Sequence, residues 1–170
     1  MKVLHVIARM NVGGTATYLY NLLEGLEAKG IETLLAVGTV PNNEREDSRI
    51  NGLRFCRING LSRAISFLGD FRAYRELNKV VREFGPDIIH THTFKAGFLI
   101  RLKKQPIPVV HTFHGHHLYD PEFGLLKRSI LNFIERSIAK RAVKILTIGL
   151  RVGEELRKYG IGEINQYHLE

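Results

Sequence analysis

The chain holds one cysteine, Cys56, so no internal disulfide can form and a reducing compartment is the natural expectation. No stretch approaches the roughly 18 uninterrupted apolar residues that a membrane-spanning helix needs. The opening MKVLHVIAR has only a short apolar run before Arg9, too short for a secretion signal. There is no internal repeat and no low-complexity tract. Paired cysteines and HExxH are absent, and so are zinc-finger spacing and a strand of aromatics interleaved with basic residues. These gaps argue against a zinc finger, a zincin and a known RNA-binding module, and no nucleic-acid partner is expected. Acidic residues are the minority, 17 against 25 basic, for a net charge of +8. That balance favours an anionic partner such as a phosphate-bearing substrate or an anionic membrane surface.

What is present is one domain's worth of chain, 170 residues with 44% hydrophobic content, enough to bury a core. Its pattern alternates between strand and helix. Apolar runs without period-two alternation at 2–8, 32–38, 53–58, 87–92, 108–114 and 143–148 predict six buried strands. Between them, Leu19, Leu22, Leu23 and Leu26 make one helical stripe. Phe67, Phe71, Tyr74, Val81 and Phe84 make a second, stopped by Gly85–Pro86. Further helices are predicted at 95–103, 124–142 and 152–160. Such alternation implies a Rossmann-like, doubly wound, mostly parallel α/β sheet of about six strands with helices on both faces. In that fold ligands bind beyond the carboxyl ends of the strands. Functional residues are therefore expected just after residues 8, 38, 92, 114 and 148.

The motifs fall there. Gly13 and Gly14 separate the first strand from the first helix. Glycine permits a tight turn and lets backbone N–H groups approach an anion at a helix N-terminus, though a tight turn alone would also use it. The run is not GxGxxG, and no acidic residue ends the second strand, so the dinucleotide fingerprint is missing. Six histidines, His90, His92, His111, His114, His116 and His117, cluster at the ends of the fourth and fifth strands. His90 and His111 lie inside strands and read as hydrogen-bonded core residues. His92, His114, His116 and His117 sit at or past the strand ends, where a zinc site or acid–base and binding work on a polar substrate are the competing readings. Thr91, Thr93 and Lys95 add hydroxyls and a cation. Lys95 opens a helix, the wrong end for its charge unless it meets an anion.

Together, LHVIARMNVGGTATYLYNLLEGLEAKGIE, PDIIHTHTFKAG and PVVHTFHGHH resemble the N-terminal domain of GT-B glycosyltransferases of family 4, the retaining enzymes, over roughly residues 2–162. The resemblance implies an acceptor-binding domain that faces a nucleotide-sugar-binding domain across a cleft. It implies that Gly13 and Gly14 face the diphosphate of a UDP- or GDP-linked sugar serving as co-substrate. It implies that His114 lies near the transferred sugar and is needed for transfer. It makes Asn11, Thr15, His92, Thr93, Phe94, Lys95, Gly115, His116 and His117 acceptor-side candidates. It implies no bound metal and no tightly held cofactor. The family's second domain with its E-x7-E motif is not expected here: Glu155 and Glu163 have that spacing, but only seven residues follow with no fold to hold a nucleotide, and Gly149 occupies a position where the family commonly has serine. The expected partners are therefore a donor-binding domain or separate subunit and a sugar or lipid-linked acceptor, with little transfer by this chain alone.

The helix at 124–144 reads as packed through Leu126, Ile130, Ile134, Ile138 and Ala142, with Arg128, Arg136 and Lys140 on a solvated face. Residues 116–144 could instead contact an anionic membrane surface. The expected location is the cytoplasm, peripheral on the inner face of the membrane. Two rival readings remain: a non-catalytic Rossmann-like module for a phosphorylated ligand or protein partner, and a histidine-based metal-dependent hydrolase.

Overall fold

The computed structural model describes residues 1–115 and 124–169, without the side chains of Lys127 and Leu169. In chain order the elements are β1 (Lys2–Ile7), α1 (Gly14–Glu27), β2 (Glu32–Val37), β3 (Phe55–Arg57), α2 (Phe67–Phe84), β4 (Ile88–His92), α3 (Phe94–Arg101), β5 (Val109–Phe113), α4 (Leu125–Ala139), β6 (Lys144–Thr147), α5 (Leu150–Lys158) and β7 (Tyr167–Leu169). The seven strands form one sheet in the order β3-β2-β1-β4-β5-β6-β7. Every pairing is parallel. The chain winds outward one way from β1 and the other way from β4, so the topological switch lies between these two strands. The doubly wound Rossmann-like architecture is the one the alternating pattern implies, with a seventh strand added at the β6 edge.

Both faces are covered. Leu4, Val6, Ile89 and Val109 pack against α2 and α3 through Ala73, Leu77, Ala96 and Leu99. On the opposite side Ile7, Leu35 and Val37 meet Ala16, Leu19 and Leu23 of α1. Phe113 and Ile145 pack with Ala139 of α4 and Leu156 of α5. Fully buried aliphatic side chains each contribute roughly 1.5–3 kcal/mol by leaving water, so these layers fix where the strand ends lie.

Two helical stripes differ from expectation. In α2 the buried positions are Ala73, Leu77, Val81 and Phe84, while Phe67 and Phe71 are 87% and 57% exposed. The first turn of α2 meets the start of α3 through Asp70 and Lys95, and its two phenylalanines face solvent. In α4 the buried residues are Leu131, Glu135, Ile138 and Ala139, and Leu126 and Ile130 are exposed. A stripe spaced strictly by four drifts by about 40° per step on a helix of 3.6 residues per turn. The line from Ala142 back to Leu126 therefore leaves the buried face before it reaches the N-terminus. Arg136 and Lys140 are exposed, as a solvated face requires.

Candidate active site

β1, β4 and β5 deliver imidazoles to the carboxyl edge beside the switch point. His5 is the register partner of His90, and Ile7 that of His92. Register partners in a parallel sheet share a face, so His5, His90 and His92 cluster there with His114, which follows β5. His5 Nδ1 lies 3.2 Å from His92 Nε2, and His92 Nδ1 lies 3.1 Å from His114 Nε2. His90 Nε2 is 2.7 Å from Thr112 Oγ1. Tyr18 of α1 presents its ring edge-on to His114 at 4.8 Å between centroids. Burial pushes the pKa of His5 down to about 3 and that of His114 down to about 4. His90 and His92 are held well below the usual imidazole range, by burial first and by neighbouring imidazoles second. All four are neutral at pH 7. A ring with a pKa near 4 is a weak base, so His114 suits hydrogen bonding to a polar substrate better than proton abstraction.

Among the described residues, His5, His90 and His92 are the group whose nitrogens lie close enough together to hold a metal, within 4.8 Å of one another. His111, in the middle of β5, faces away: its Nδ1 pairs with Thr91 Oγ1 at 2.8 Å on the opposite side of the sheet.

The glycine loop is anchored by its neighbours. Val12 N donates to Arg45 O at 2.9 Å, Asp47 N donates to Met10 O at 2.9 Å, and Asn11 bridges Glu46. Arg9 is ion-paired with Glu44. Gly13 has φ +156°, a conformation that side chains disfavour, and caps α1 without a side-chain bond. Gly14 has no such φ, and a Cβ on it would meet no described atom within 4 Å. Gly13 is thus explained by its backbone, whereas neither conformation nor packing within the chain requires glycine at 14. The first-turn N–H groups of Gly14, Thr15 and Ala16 precede the first helical bond, Thr17 N to Gly13 O, and are available to an anion.

The loop after β4 is strained. Thr93 is the one described non-glycine residue with positive φ, 69°, unusual for a β-branched side chain. Its Oγ1 is buried without a partner among the described residues. Such strain concentrates at functional sites. Phe94 is half-buried and stacks on Phe98 at 6.0 Å. Lys95 does meet an anion, and that anion is internal: Nζ lies 2.5 Å from Asp70 Oδ1 and donates to Ala64 O at 2.8 Å. Gly115 is exposed with φ 122°. His116 and His117 lie outside the described residues.

The sequence pattern of the family described as Glycosyltransferase Family 4 matches residues 12–165. The chain belongs to glycosyltransferase family 4. It is 26% identical over 182 residues to a Klebsiella pneumoniae protein described as an uncharacterized 42.6 kDa protein in the cps region, covering 94% of this chain and 48% of that one. The fold is shared with sucrose-phosphate synthase from Thermosynechococcus elongatus, with TM-score 0.76 and 17% identity over 99% of this chain and 47% of the other. It is also shared with Anabaena HepE, solved in complex with UDP and glucose, with TM-score 0.73 and 13% identity over 99% and 44%. The chain spans about half the length of each of these proteins. Family membership places the Gly13–Gly14 turn and the His114 edge in a glycosyltransferase domain.

Sequence reading missed His5, Tyr18 and Asp70. A lone polar residue inside the apolar run KVLHVI was the signal for His5. An acid in the first turn of a helix was the signal for Asp70.

Proposed function

We propose that this chain is the acceptor-binding half of a retaining glycosyltransferase whose donor is a UDP- or GDP-linked sugar. One observation carries the reading: an open helix N-terminus at Gly14, a neutral His114 and a strained Thr93 all stand at the carboxyl edge around the β1–β4 switch point. The bare N–H groups after Gly13 suit the donor diphosphate when a nucleotide-binding domain closes over the edge. His114 orients the transferred sugar through a hydrogen bond. Thr93, Phe94, Asn11, Thr15 and Gly115 line the acceptor side. His92 lies behind His114, and Lys95 holds the acceptor loop through Asp70. With its charge neutralised there, Lys95 supports the loop better than it binds an anion.

A lipid-linked acceptor is favoured by the surface beside this loop. Ile65, Phe67, Leu68 and Phe71 are exposed together, with Arg63, Arg72 and Arg75 exposed among them. Leu125, Leu126 and Phe133 of α4 add a second exposed apolar stretch. Apolar side chains ringed by arginine suit the anionic inner leaflet, which would put the protein on the cytoplasmic face of the membrane. No helix among the described residues is long and apolar enough to cross a bilayer.

The test joins this chain to the C-terminal half of the Klebsiella relative and measures nucleotide diphosphate release from UDP- and GDP-sugars in the presence of membrane lipids. Release that depends on the lipid extract and falls in His114→Ala supports the reading. Tight binding of phosphorylated ligands with no release in any combination would favour a binding module.

A further inference from the structure

The imidazoles at the carboxyl edge are linked end to end rather than stacked. His5 and His92 are nearly coplanar, 15° between planes, with centroids 5.5 Å apart and facing nitrogens 3.2 Å apart. His92 and His114 are tilted by 34° but keep the end-to-end placement, with centroids at 5.3 Å and nitrogens at 3.1 Å. In each pair the centroid separation exceeds the nitrogen separation by about one ring's width, so the two nitrogens lie on the line joining the rings. That is the geometry of an N–H···N hydrogen bond. Nitrogens aimed at each other do not aim at a shared metal position, so a hydrogen-bonded chain fits the pair better than a metal centre does.

A neutral imidazole carries one proton, and each link needs one donor and one acceptor. Two arrangements of the chain satisfy this. In one, every ring is protonated on Nδ1: His5 donates to His92, His92 donates to His114, and His114 is left with Nδ1–H outside the chain. In the other, every ring is protonated on Nε2, the bonds run the opposite way, and His114 presents a bare Nδ1. The two differ at the buried end, where His5 Nε2 has no partner among the described residues. The first arrangement leaves a bare lone pair there and the second an unpaired N–H. Orphaned donors are the rarer defect in folded proteins, which favours the first.

We propose that His5, His92 and His114 act as one tautomeric unit that holds His114 as an Nδ1–H donor, so that His5 and His92 are positioning residues for the hydrogen bond His114 makes to an oxygen of the transferred sugar. The proposal rests on the reading of His114 as the sugar-facing residue. It explains why a buried apolar strand carries His5 at all: the tautomer of a ring is set by the partner of its other nitrogen, and His5 is the end from which the whole chain is set.

The experiment needs no donor and no turnover. Long-range proton–nitrogen NMR on the 15N-histidine-labelled chain at neutral pH reads the tautomer of each ring. The expected result is Nδ1–H for His5, His92 and His114, with a changed nitrogen pattern at His114 in His5→Leu, two rings away. An Nε2–H tautomer at His114 in the wild-type chain would overturn the proposal. So would an unchanged His114 in His5→Leu, or the binding of one equivalent of zinc at His5, His90 and His92. Should His5→Leu fail to fold, the wild-type pattern decides, with His92→Gln as the second variant. Absent sugar transfer with the tautomer pattern intact would count against the transferase reading alone.

Discussion

Two polar clusters are buried on opposite faces of the same pair of strands, β4 and β5. On one face His5, His92 and His114 run through the sheet to its carboxyl edge, where His114 is half-buried. On the other, Thr91 meets His111, and beneath α3 and α4 Arg101 pairs with Glu135 at 3.4 Å, their side chains 0% and 1% exposed. Arg101 Nε also donates to Gly97 O at 3.0 Å. A Cβ on Gly97 would collide with both the Arg101 guanidinium and the His111 ring, so glycine is required for the helix to lie this close. The first cluster opens onto the carboxyl edge and the second is enclosed. Burial alone therefore does not separate the two; access from the strand termini does, and the proposed function rests on the open one.

The largest effect should come from the enclosed side. Removing one partner of a buried ion pair leaves an uncompensated charge, so Arg101→Ala is expected to cost about 3–5 kcal/mol, read as a lower urea midpoint. The paired change Arg101→Met with Glu135→Leu should recover most of that loss.

On the open side the balance reverses. His114→Ala is expected to change stability by less than about 1 kcal/mol while lowering transfer by about 100-fold or more in the assembled enzyme.

Acid sharpens the comparison further. Each depressed histidine is neutral when folded and titrates near 6.5 when unfolded, so below that pH the unfolded chain binds more protons. Stability then falls as pH drops, by about 1.4 kcal/mol per pH unit per imidazole, until the folded group itself titrates, about 3 for His5 and about 4 for His114. His90, His92 and His111 shift in the same direction, again mainly through burial. Urea midpoints at pH 7.5 and pH 5 should differ markedly, and less so in His5→Leu.

The smallest expected effect separates the two glycines. Gly13→Ala forces alanine into φ +156° and should cost about 1 kcal/mol. Gly14→Ala should leave stability unchanged or raise it by up to about 1 kcal/mol. Its effect should appear instead as weakened donor use.

The strands were legible because fully covered strands are apolar throughout, and the glycine turn and strand-end histidines because Rossmann-like sheets bind ligands there. His5 was not placed with its partners, since it meets His92 across 87 residues of sequence and local pattern carries no register between distant strands. Arg101 and Glu135 were not singled out, because nothing local announces that each supplies the other's counter-charge. Phe67 and Phe71 fit the α2 stripe by spacing yet stand in solvent, because spacing does not say how far along a helix its packing partners reach. β7 is three residues long, with a tyrosine and a histidine at its start, and carries no strand-like run.

The most direct test compares His114→Ala with His111→Ala in the chain joined to a donor-binding half, measuring nucleotide diphosphate release per folded molecule. The two histidines are three residues apart on one strand and its end, and they face opposite sides of the sheet. The account predicts that His114→Ala loses nearly all turnover while His111→Ala keeps it, whatever its stability. Equal turnover in the two variants, or a loss confined to His111→Ala, would contradict it.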